Sequence, residues 1–267
     1  MAVAVLLGFA LAFQGSRPLW EPDEGRYVAV ALEMIQLDDY LVPRLHHQYP
    51  HFAKPPQTYW LIAASLRTFG MNEWAVRVPN ALAFTATVLL VFGIGRRLYP
   101  EGAALAAVVY ASFLLPTVAA NIANSDTLLA ACEALAVWGF ASWWWRPDRS
   151  SRGWLVVMWL GFALAFLTKG PPGLLPLLGI GALVLATDGV RGLAVLFPLA
   201  GMTLFIAIAY LAKLAAVALG RGGAGADRSS SAGLSGPAGA GSLAAIDRCN
   251  LGVVQLAAWA IVVGTML

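Results

Sequence analysis

Chemistry-bearing residues gather early in this chain. Glu21-Pro22-Asp23-Glu24-Gly25-Arg26-Tyr27 places three carboxylates within four residues, directly after an apolar opening. Only 12% of the residues are charged. Concentrating acid beside a hydrophobic segment costs desolvation unless the site meets water, a cation or a substrate. The plain alternative is that the acids cap a helix, whose dipole favours negative charge in its first turn. Further along, Lys54 precedes Pro55 and Pro56. Two prolines remove backbone donors and hold the chain extended, which aims the ammonium and suits a lipid phosphate as well as simple anchoring among headgroups. Asp126 ends the run Asn121-Ile-Ala-Asn124-Ser125-Asp126, where Ser125 or Asp126 can cap the next helix. Lys169 stands before Gly170-Pro171-Pro172-Gly173, a breaker cluster at membrane depth. An ionisable residue there is a functional candidate, with an interfacial anchor as its alternative.

The elements that position these residues are helical. Pro22 suits the first position of a helix running to about Gln36, with Asp23 and Glu24 in its first turn. Tyr27, Val30, Ala31, Met34 and Ile35 recur at helical spacing, while Asp23, Arg26 and Glu33 offer polar positions to water or headgroups. The pattern predicts a helix lying on a membrane surface. Tyr59 to Phe69 reads as a second short surface helix.

The composition requires a membrane. Of 267 residues, 60% are hydrophobic and ten are tryptophan, and the mean hydropathy is +0.73. Several windows are long enough for a hydrocarbon core of ~30 Å. After the apolar Met1 to Phe13, spans are expected at roughly 76–94, 103–118, 128–145, 154–167, 173–186 and 193–214. Arg96 and Arg97, then Arg146, Arg149 and Arg152, then Arg191, fall in turns that alternate with the segments carrying Asn124, Asp126 and Lys169. The positive-inside rule puts the arginine turns in the cytoplasm and the acidic stretch, Asp126 and Lys169 together on the other side. Trp143-Trp144-Trp145 reads as an interfacial aromatic belt.

Other chemistries find little support. The net charge of +3 is spread between spans rather than gathered in a patch, so nucleic acid is set aside. Cys132 and Cys249 fit neither a disulfide framework nor a metal cluster. His47 and His51 are four apart, but Pro50 intervenes, which favours loop or headgroup contacts over a metal site.

The ordered set Glu21-Pro-Asp-Glu-Gly-Arg-Tyr27, Leu41-Val-Pro-Arg44, Lys54-Pro-Pro56 with Tyr59-Trp60, Arg77-Val-Pro79, Gly95-Arg-Arg97, Asp126 and Leu167-Thr-Lys-Gly-Pro171 resembles the membrane C-type glycosyltransferases that use polyprenyl-phosphate sugars. The resemblance is to the aminoarabinose transferase and protein O-mannosyltransferase-like families, and covers about residues 17–200, their amino-terminal part. It implies an all-α, multi-pass GT-C-type transmembrane core with amphipathic juxtamembrane helices in the first extracytoplasmic loop. It also implies transfer of a sugar from a polyprenyl-phosphate donor to an extracytoplasmic lipid, such as a lipid A-like molecule, or to a protein. Carried across by position, Asp23 and Glu24 are the catalytic acids, Arg26 and Lys54 bind the donor phosphate, and Tyr27, Asp126 and Lys169 line the cavity. The implied setting is a bacterial inner membrane with the active side periplasmic.

The chain departs from the pattern in two places. Ala53 stands where the family often has Glu, which removes one ligand and leaves a divalent metal open as cofactor. Residues 1–214 read as the transmembrane core, with its first loop at about 14–73; 215–250 read as a Gly/Ser-rich linker and 251–267 as a last transmembrane segment, in place of a carboxy-terminal soluble domain. Two rivals follow: a transporter or flippase whose path is lined by Asp126 and Lys169, and a truncated, non-catalytic homologue that still binds the lipid.

Overall fold

The computed structural model of the chain describes residues 2–12, 14–41, 43–45, 49–50, 54–147, 149 and 151–210. The chain divides into a unit of Met1–Gly222 and one of Gly223–Leu267. The second unit, with the expected linker and last span, lies outside the described residues, as do His46, His47, His51 and Ala53.

The helices follow one another as α1 (Ala2–Leu11), α2 (Asp23–Leu37), α3 (Gln57–Phe69), α4 (Glu73–Leu98), α5 (Ala103–Ser112), α6 (Leu114–Ala120), α7 (Asp126–Trp144), α8 (Gly153–Lys169) and α9 (Leu175–Val195). A tenth, α10, spans Leu199–Tyr210. Between α2 and α3 a two-residue antiparallel ribbon pairs Arg44 with Pro50 and Leu45 with Tyr49. The fold is an all-α, multi-pass membrane bundle.

Among the described residues three helical segments are long and apolar enough to cross a membrane: Glu73–Leu98, Asp126–Trp144 and Pro171–Val195. The span expected at 103–118 is broken instead. α5 and α6 meet at 61° around Phe113, whose extended backbone interrupts the helix. α8, at 17 residues, matches the expected 154–167 window and is shorter than the other spans. The expected 193–214 window is cut at Phe197-Pro198, because proline cannot continue the α9 helix.

Two local devices hold the site end of the bundle. α4 begins at Asn72, whose side chain accepts the Ala75 N–H at 2.8 Å, a strong cap. It also contains Pro79, which has no N–H to give the carbonyl of Ala75 four residues back. The Ser65 hydroxyl of α3 donates to that carbonyl instead, so the gap left by proline becomes the bond that docks α3. Glycine serves the α7–α8 contact: a Cβ at Gly139 would lie 2.6 Å from the Met158 backbone nitrogen. Only hydrogen at that position lets the two backbones come so close.

The stripe on α2 is turned inward rather than onto lipid. Tyr27, Val30, Ala31 and Met34 pack with Tyr59, Ile62, Ala63 and Leu66 of α3, Ala75 and Val76 of α4, and Ala123. Burying each larger apolar side chain is worth about 1.5–3 kcal/mol relative to exposure, so α2 and α3 pack as core helices against the start of α4. Glu33, expected to face water, is buried. The tryptophan run is also divided. Trp143 is buried and donates through Nε1 to the Arg149 carbonyl at 3.1 Å, Arg149 stacks on Trp144 at 4.1 Å, and Trp145 alone of the three is exposed.

Candidate functional site

The three clustered carboxylates have different fates once folded. Asp23 and Glu21 are exposed, whereas Glu24 is fully buried. Its carboxylate accepts from Arg77 at 2.9 and 3.0 Å, from Arg17 at 2.9 Å, from the Trp20 N–H at 2.7 Å and from the Ala123 N–H at 2.8 Å. Arg77 is likewise fully buried. Beyond its two bonds to Glu24, its fork donates to the carbonyls of Gln14, Arg17 and Pro18, which engages every guanidinium N–H. Of the two acids expected to act together, Asp23 is exposed and Glu24 is enclosed. With its oxygens accepting six hydrogen bonds, two of them from Arg17, Glu24 ties α2 to α4 and to the turn before α7.

Burial alone raises the Glu24 pKa, but hydrogen bonds from Arg77, Trp20, Ala123 and Arg17 outweigh it and hold the group at about 2, below its ordinary 4.5. A depressed carboxyl stabilises the fold above its unfolded pKa, and that contribution is lost as pH falls through the folded value. Thermal unfolding of the detergent-solubilised chain is expected to show a loss of about 3 kcal/mol between pH 4.5 and pH 2. The Glu24→Gln variant should lack this dependence. An equally steep acid limb in the variant would assign the loss to other groups.

The Glu24 node leaves the outer face of α2 at the site. The Asp23 and Arg26 side chains are exposed and make no hydrogen bond or ion pair among the described residues. One turn on, the Tyr27 hydroxyl donates to Ser125 Oγ at 3.1 Å and accepts from the Lys54 ammonium, which also lies 4.7 Å from the Tyr27 ring centre. Tyr59 stands beside Tyr27, with ring centres 5.7 Å apart. Burial and the Tyr27 neighbour push the Tyr59 hydroxyl up to about 12, against a smaller opposing pull from Arg26, so Tyr59 is a neutral wall at working pH.

Asp126 and Lys169 meet directly as an ion pair, with Asp126 the more exposed partner. Ser125 occupies the N-cap position of α7, but its side chain makes no capping bond, and Asp126 falls in the first turn. Asn124 makes that bond instead, its Oδ1 accepting from the Thr127 N–H at 2.9 Å. Next to the pair, Thr168 Oγ1 donates to Gln57 Oε1 at 3.0 Å, which pins the start of α3, and Lys54 just before it, to the end of α8. The first turns of α2, α3 and α7 and the last turn of α8 thus converge on one end. At the other end, Arg97 lies 5.9 Å from the Trp154 ring and Arg149 pairs with Asp188. Among the described residues no three His, Cys, Asp or Glu side chains gather as a metal site.

Sequence reasoning passed over Arg17, Arg77 and Asn80 as site-forming groups. The available signal was Arg77 itself, an arginine two residues before Pro79 at the mouth of a predicted span, where an unpaired charge is costly.

Residues 53–213 match the family described as dolichyl-phosphate-mannose-protein mannosyltransferase. Over 179 residues the chain is 35% identical to the undecaprenyl phosphate-alpha-4-amino-4-deoxy-L-arabinose arabinosyl transferase 2 of Pseudomonas fluorescens, covering 63% of this chain and 32% of that protein. The corresponding Pseudomonas aeruginosa transferase is 33% identical over 177 residues, covering 62% and 31%. The chain thus spans about a third of the length of these curated relatives. The crystal structure of ArnT from Cupriavidus metallidurans in the apo state superposes with a TM-score of 0.73 at 28% identity, over 79% of this chain and 41% of that one. The same protein bound to undecaprenyl phosphate gives 0.74 over 80% and 40%. With a match over more than half its length and this bundle in common, the chain belongs to the dolichyl-phosphate-mannose-protein mannosyltransferase family of membrane proteins.

Proposed function

We propose that this chain forms the donor-binding and reacting end of a glycosyltransferase, which moves a sugar from a polyprenyl-phosphate donor to an extracytoplasmic lipid A-like or protein acceptor. The observation that carries the reading is the placement of the Lys54 ammonium, held by Tyr27, on the same end as exposed Asp23 and Arg26 and beside the Asp126–Lys169 pair. The likeness to a transferase solved with undecaprenyl phosphate supports that donor class.

Transfer breaks the anomeric C–O bond, and the phosphate leaves with its electron pair as the acceptor oxygen bonds to the sugar. The acceptor proton passes to a carboxylate, for which Asp23 is the open group. Arg26, through its fork, and Lys54, as a point charge, offset the charge that builds on phosphate. Tyr27, Asp126 and Lys169 line the cavity, and Glu24 positions α2. We further assign the first 214 residues to the transmembrane core. This end faces the periplasm of an inner membrane, a reading supported by the arginine-rich turns at the opposite end.

Incubating membranes that contain the chain with a pool of radiolabelled polyprenyl-phosphate sugars is expected to label an endogenous lipid or protein. Donor-lipid binding without transferred label would overturn the enzyme reading in favour of a non-catalytic homologue. Movement of intact donor across the bilayer without transfer would favour the flippase.

A further inference from the structure

A second polar side chain of α4 meets the turn before α7. Asn80 is buried, and its Nδ2 donates to the carbonyls of Ile122 at 2.6 Å and Asn124 at 3.1 Å. The turn lacks regular backbone pairing, so side-chain amides brace it. Asn124 Nδ2 donates to the carbonyls of Ala119 at 2.7 Å and Ile122 at 2.8 Å, and Asn124 Oδ1 accepts from Thr127. Inside this frame sits buried Ser125, which accepts the Tyr27 hydroxyl. Tyr27 in turn accepts from Lys54.

We propose that Asn80 is a positioning residue for the phosphate-binding cation: it holds the Ile122–Asn124 turn so that Ser125 fixes the Tyr27 hydroxyl, which in turn aims Lys54. The inference rests on the reading of Lys54 as the cation for the donor phosphate. The physical argument is one of freedom. A lysine has a flexible stem and a compact charge, so its position is set by whatever its ammonium binds when no phosphate is present. Among the described residues that partner is Tyr27, whose ring lies 4.7 Å away and whose hydroxyl takes its direction from Ser125. Ser125 follows Asn124, whose carbonyl is one of the two that Asn80 holds. The same frame caps α7 and so also places Asp126, which puts both charged ends of the pocket under the control of one carboxamide. The Ile122 and Asn124 carbonyls are partly enclosed, so water only incompletely replaces a lost donor and removing Asn80 lets the turn shift.

The test is the affinity of the purified chain for undecaprenyl phosphate in detergent, measured for Asn80→Ala, Tyr27→Phe, the double variant and Lys54→Ala. Asn80→Ala and Tyr27→Phe are each expected to weaken binding about tenfold. The double variant should bind no more weakly than Tyr27→Phe alone, because both act through one chain of bonds. Losses that multiply in the double variant, or a drop in thermal stability with unchanged affinity of the folded fraction, would overturn the proposal. Lys54→Ala separates the two layers. Loss of binding there with normal binding in Asn80→Ala refutes only the role of Asn80, whereas normal binding in Lys54→Ala refutes the phosphate reading and this inference with it. Where Asn80→Ala does not fold, Asn80→Ser keeps one hydroxyl donor, and an intermediate loss in the same cycle is expected.

Discussion

Replacing Arg77 by methionine is expected to lower the stability of the chain by about 3–5 kcal/mol, measured by denaturant unfolding in detergent, because it strands a buried carboxylate. The magnitude follows from what remains. Among the described residues Glu24 stays fully buried with only Arg17 as a charged partner, the carbonyls of Gln14 and Arg17 lose their donor, and that of Pro18 keeps only Arg17. Lysine is a poor substitute, since a point charge with three donors cannot reproduce a planar fork with five. Arg77→Lys should still cost about 1–3 kcal/mol. Glu24→Gln/Arg77→Met should lose less than the sum of its single variants, because removing both charges ends the imbalance. A single Arg77→Met variant within 1 kcal/mol of the parent would mean that the node contributes geometry without stability.

The same node marks where the sequence was legible and where it was not. Helix positions were readable because apolar periodicity and breaker residues act locally: α2 begins beside Pro22 and α8 ends at Gly170, where φ is positive. The expectation that the acidic stretch, Lys54, Asp126 and Lys169 share one end rested on counting spans and arginine turns, and contacts among Tyr27, Ser125, Gln57 and Thr168 link these elements there. What local pattern cannot convey is which member of a charged cluster turns inward. Asp23 and Glu24 are adjacent and both acidic, yet a rotation of about 100° per residue along the helix sends one to solvent and the other to an arginine 53 residues away. What covers the α2 stripe is illegible for a related reason, because an apolar face looks the same whether lipid or a neighbouring helix covers it. The break between α5 and α6 had a local signal in Pro116, which has no N–H to give the Ser112 carbonyl four residues back and sits in the first turn of α6.

That division of labour between adjacent acids leads to the second large effect. Asp23→Asn is expected to reduce sugar transfer by about 10²–10⁴-fold in kcat, the range for losing a general base, while the KM for the polyprenyl-phosphate sugar stays within about threefold. The substitution preserves shape on an exposed side chain that makes no hydrogen bond or ion pair among the described residues, so the fold has little reason to respond. Glu24→Gln at the next position should do the opposite, lowering stability first and turnover only through the displaced α2. Steady-state kinetics and thermal unfolding of both variants, side by side, separate the two roles. A stable Asp23→Asn protein with full turnover would remove Asp23 from the chemistry. The exposed acids that would then remain at that end are Glu21 and Asp126, of which Asp126 is already balanced by Lys169 and would have to break that pair to take up a proton.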